Sequence, residues 1–103
     1  MADPFSPVSM HLLNRFEISG RNPDSYPELI DVLAVRIAEM LQHSPDSLMS
    51  MLYRLDISEK KLKAALHPET KELPEYALAK LIVERQSERM QTRQKYSSPP
   101  KSD

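Results

Sequence analysis

Residues 27–43 read PELIDVLAVRIAEMLQH, and this stretch decides the fold. Ten of its seventeen residues are apolar: Leu29, Ile30, Val32, Leu33, Ala34, Val35, Ile37, Ala38, Met40 and Leu41. Placed on a helix they cover well over half of the surface, leaving a thin polar stripe through Glu28, Asp31, Glu39 and Gln42. A helix lying on a protein surface needs an apolar stripe only about 100° wide. This one must be covered on more than one side, so it is predicted to be central. Ser25 or Tyr26 stands at its cap and Pro27 suits its first turn, while Glu28 and Asp31 complement the positive helix end.

Working towards the C-terminus, Ser44-Pro45 restarts the chain with an N-cap and a first-turn proline. Leu48, Met51, Leu52 and Leu55 follow at i, i+3, i+4, i+7, which predicts a second helix over 45–55. Asp56-Ile57 breaks it. Ser58 then caps a third helix over 58–66, with Ile57 placed to staple against Leu62 and with Lys61 where a capping box would carry Glu. Residues 67–73 form a polar loop. A last helix over 74–96, roughly 34 Å long, has Ala77, Leu78, Leu81, Ile82 and Val83 as its core face. Beyond residue 83 its only apolar position before Tyr96 is Met90, so it is expected to leave its core and project.

Working towards the N-terminus, Pro4, Pro7, Pro23 and the lone Gly20 make residues 1–26 an irregular arm. Val8, Leu12, Leu13 and Phe16 share a helical face within it, which allows a short helix over about 9–16. The arm either folds back on the core or docks into another protein. Residues 97–103, with Pro99-Pro100, read as a disordered tail. The fold class is all-α: a small bundle of three short-to-medium helices plus one long C-terminal helix, with an N-terminal arm and a helical domain over 27–96.

Composition narrows the function by exclusion. One glycine in 103 residues cannot supply a phosphate-binding loop or the turns of a many-stranded β-protein. The absence of cysteine removes disulfides, thiol nucleophiles and the common structural zinc sites. No secretory leader or long apolar run is visible, so a cytoplasmic protein without a membrane span is expected. Glu39 and His43 share a helix face but supply only two metal ligands, and Glu84 and Glu88 stand among arginines. No nucleophile, base and ligand converge in the sequence. The chain is therefore expected not to be a self-sufficient enzyme and to need no cofactor or metal.

Charge is divided along the chain. Residues 1–56 carry four basic and eight acidic residues, a net −4, whereas residues 57–103 carry ten basic and seven acidic ones, a net +3. Arg85, Arg89 and Arg93 recur every fourth residue with Tyr96 beyond, forming a ridge suited to an acidic partner or a phosphate chain. Met49 and Tyr53, at i, i+4, form a candidate apolar contact patch.

The stretch LYRLDISEKKLKAAL, residues 52–66, resembles a helix-turn-helix: two short helices, a buried Ile at the turn, a Ser cap, and apolar positions at 62 and 66. It departs from that pattern at Asp56, where glycine often stands. The resemblance implies a second helix that meets DNA through Glu59, Lys60 and Lys63, with Lys61 in the same basic cluster. The sequence thus supports two expectations. The leading one is a non-enzymatic module, adaptor or accessory subunit that binds protein or assembles with itself. The alternative is a helix-turn-helix-like nucleic-acid-binding regulator. Self-association or an obligate partner fits the small core, since residues 27–83 number under sixty and carry no staple.

Overall fold

Helices begin where proline or serine relieves the first turn of unpaired amides, because the first four N–H groups of a helix have no partner inside it. The computed structural model describes residues 4–97, with side chains as far as residue 92. It has five helices: α1 (Phe5–Arg15), α2 (Tyr26–His43), α3 (Pro45–Arg54), α4 (Glu59–Ala65) and α5 (Pro74–Ser97). The expected tail beyond Ser97 lies outside the described residues.

Ser25 caps α2, its Oγ accepting the Glu28 N–H at 3.3 Å, while the Glu28 carboxylate accepts the Asp24 N–H at 2.6 Å. Ser58 caps α4 through the Lys61 N–H at 3.5 Å, and the reciprocal half of that box is missing, as Lys61 requires. Ser44 is both the C-cap of α2 and the N-cap of α3, yet its hydroxyl makes no capping bond. Pro45, which has no N–H to satisfy, takes part of that role.

Helices α2 and α5 form the central pair. Leu29, Leu33, Ala34, Ile37 and Met40 of α2 are buried in one core with Leu78, Ala79, Ile82 and Val83 of α5. Helix α3 packs on α2, α4 packs on α5, and α1 lies against both members of the pair.

The N-terminal segment differs from expectation. The described part of the expected arm, residues 4–26, is not irregular throughout: α1 occupies Phe5–Arg15, longer and earlier than the short helix expected over 9–16. Pro4 is its N-cap and Pro7 lies in its first turn, where a missing N–H costs nothing. Val8, Leu12 and Phe16 are fully buried members of the core, and Phe5 meets Tyr26 edge-to-face with ring centroids 5.0 Å apart. The guanidinium Nε of Arg36 on α2 donates to the Phe16 carbonyl at 3.0 Å, satisfying an orphan acceptor at the end of α1.

Because α1 covers α5, the long helix does not leave its core at residue 83. Gln86 is buried and Met90 packs on the core edge.

Two helices end in Schellman turns without glycine. After α1, Ile18 N–H donates to Leu13 O at 2.8 Å and Glu17 N–H to Asn14 O at 3.1 Å, with Glu17 at φ 56°. After α3, Asp56 at φ 59° donates to Tyr53 O at 3.0 Å and Ile57 to Leu52 O at 3.5 Å. In each the hydrophobic pair that accompanies the motif is present, Ile18 with Leu13 and Ile57 with Leu52, all in or against the core. A side chain in the left-handed region costs roughly 1–2 kcal/mol, and an acid at a helix C-terminus also faces the negative end of the dipole.

Two measurements follow from this architecture. Urea unfolding of Phe16→Ala should show a loss of about 3–5 kcal/mol, the cost of a large core truncation, whereas a loose arm would give almost none. Glu17→Gly should gain about 0.5–1 kcal/mol, since relief of the left-handed strain exceeds the added chain entropy. An unchanged urea midpoint would show that Glu17 is not strained.

Candidate functional site

The turn between α3 and α4 brings Asp56 to α5, where its Oδ2 accepts from Arg85 at 3.4 Å. Arg85 also reaches Glu88 at 3.8 Å, and Lys61 of α4 reaches Glu84 of α5 at 3.2 Å. These pairs line a cavity of about 340 Å³ against Ile57 and Leu81. Arg85 is half-buried, and its Nε has no partner among the described residues. Two cations face three carboxylates here, and each exposed pair contributes no more than about 1 kcal/mol.

The arginine ridge therefore divides. Arg85 turns to the α3–α4 corner, whereas Arg89 is exposed beside Arg15 and Arg54 on a second, smaller cavity. Arg93 and Tyr96 belong to the α5 backbone, but their side chains lie outside the described residues. Met49 and Tyr53 are 49% and 83% exposed on the outer side of α3. Lys60, Lys61 and Lys63 are exposed on α4, and of the three only Lys61 is in an ion pair among the described residues. Helix α4 has no buried residue and packs against α5, with Leu62 and Ala65 meeting the core edge.

The carboxylate pairs singled out for chemistry are engaged by cations. Glu84 is held by Lys61 and Glu88 by Arg85, while Glu39 pairs with Arg36 at 3.7 Å. Among the described residues no three His, Asp or Glu stand together as metal ligands, and no helix is long and apolar enough to cross a membrane.

A larger opening lies on α2. Its outer face, with Asp31, Val35 and Glu39, meets Leu73, Glu75 and Tyr76 at the start of α5 across a groove of about 740 Å³. Val35 and Leu73 are each 61% exposed. Val35 and Glu39 also border a neighbouring hollow of about 330 Å³ that Ile18 and Val32 line. The apolar excess of α2 thus has a physical outcome: α1, α3 and α5 cover its inner faces and leave Val35 to solvent. No charged side chain but a carboxylate lines the larger groove.

Two site features escaped the sequence. Leu73 reads as part of a polar loop, although its place just before a first-turn proline seats it against α2. Gln86 stands in the i, i+4 ridge that runs Leu78, Ile82, Gln86, Met90, so a polar residue interrupting a core stripe was its available signal.

No protein-family model matches the chain, and neither a curated protein nor a solved structure is similar to it.

The two arginines should separate in stability measurements. Arg85→Ala loses its ion pairs and its buried stem, for a cost of about 1 kcal/mol. Arg89→Ala should stay within about 0.5 kcal/mol of the parent. Equal thermal shifts for both would place them in equivalent surroundings.

Proposed function

We propose that this chain is a non-enzymatic helical assembly module, and that the occupant of the α2 groove is a second copy of the chain. The observation that carries the reading is the groove itself: exposed Val35 and Leu73 beside Tyr76, rimmed by Asp31, Glu39 and Glu75. An apolar floor with an acidic rim suits an aliphatic surface flanked by cations. The second half of the chain offers one, with Leu66 exposed at the C-cap of α4 and Lys60 and Lys63 exposed on that helix. Its net +3 faces a first half of net −4. In a twofold dimer each copy can present both surfaces, so the contact closes rather than propagating into a filament.

Sedimentation equilibrium at tens of micromolar is the test. The parent should sediment heavier than the 11.9 kDa chain. Val35→Asp, at an exposed position, should return it to a monomer with its helicity intact, and added salt should weaken the parent assembly. A parent that remains monomeric overturns the reading. The helix-turn-helix-like alternative depends on Lys60 and Lys63, and binding to a generic duplex that falls steeply with salt would favour it.

A further inference from the structure

Arg15 closes α1, Arg54 closes α3, and Arg89 lies within α5. Far apart in sequence, they line one cavity of about 180 Å³ together with His11. Leu55 and Gln86 are its buried walls, Arg54 and Arg89 its exposed rim. No carboxylate lines it. Among the described residues, the side chains of Arg15, Arg54 and Arg89 make no ion pair or hydrogen bond. Lys61 and Arg85, on the cavity at the α3–α4 corner, have carboxylate partners.

Basic residues in a last turn complement the helix dipole, which accounts for Arg15 and for Arg54 separately. It does not account for their convergence with Arg89, a third like charge that raises the repulsion. Gln86 is the second observation. It is only 5% exposed, lines the same cavity, and its amide has no hydrogen-bond partner among the described residues. Its amide is not shut off from solvent and opens at the cavity the residue lines, where a methionine or leucine would simply continue the Ile82–Met90 stripe.

We propose that this cavity is an oxyanion site for a phosphoryl group. Guanidinium groups bind phosphate oxygens through charge-assisted, often bidentate, hydrogen bonds. The Gln86 amide supplies a neutral donor from the wall. The volume of about 180 Å³ accommodates a phosphate group. The source is inorganic phosphate or a phosphorylated side chain, and the site chemistry is the same for both.

The test is calorimetric titration of the full chain with inorganic phosphate and, separately, with a short peptide carrying one phosphoserine. At least one probe should bind saturably. Arg54→Ala and Arg89→Ala should each weaken that binding about tenfold or more, while Arg21→Ala, at an exposed position away from the cavity, should leave it unchanged. Gln86→Leu should lower affinity while holding or raising the melting temperature, a combination that a purely structural glutamine would not give. Preference for the peptide identifies a phosphorylated side chain as the source, and equal affinity identifies free phosphate. Absence of saturable binding by both probes at millimolar concentration overturns the proposal, as does binding that survives in Arg54→Ala and Arg89→Ala.

Discussion

The contact between α2 and α5 is the constraint on which the rest of the structure depends. Helix α2 carries more apolar surface than any single neighbour can bury, and α5 offers a narrower stripe through Leu78, Ala79, Ile82 and Val83. Burial of apolar area is the dominant favourable term in folding, so the remaining elements are recruited to the flanks of this pair. Helix α3 takes one side of α2, α4 one side of α5, and α1 the seam that both share. The recruitment stops short at Val35, and that shortfall is what makes the outer face of α2 available to another molecule.

Much of the helical layout was legible from residues 25–66. Ser25, Pro27, Pro45 and Ser58 mark starts that depend on local chemistry, and the spacing of Leu48, Leu52 and Leu55 needs no tertiary information. Helix α1 was hard to read for an equally physical reason. Two prolines in four residues signal a loop unless they fall in a first turn, and a Schellman ending on Glu17 lacks the glycine that usually announces it. Read as an arm, the segment that forms α1 leaves the polar half of α5 without a neighbour, so that half reads as a projection. A single misread element therefore produced two errors.

The charged residues show where sequence spacing loses its power. Period-four arginines on an isolated helix point the same way, but an α-helix in a bundle meets different neighbours at each turn. Asp56 draws Arg85 to the α3–α4 corner, while Arg89, one turn later, joins cations contributed by α1 and α3. That second cluster is assembled from residues up to 74 positions apart, Arg15 to Arg89, and no linear motif encodes it. Gln86 is the part that a sequence can reveal, through its polar intrusion into a hydrophobic register.

The first helix of the chain packs against the last. Val8 and Leu12 have nothing to bury against on α5 until residues 74–90 have been synthesised and released from the ribosome. During translation α1 therefore waits without the α5 side of its contact, while α2 pairs with α3 without its main partner, α5. Closure is then a late, long-range event whose loop spans most of the chain, the kind of contact that slows folding relative to purely local helix pairing.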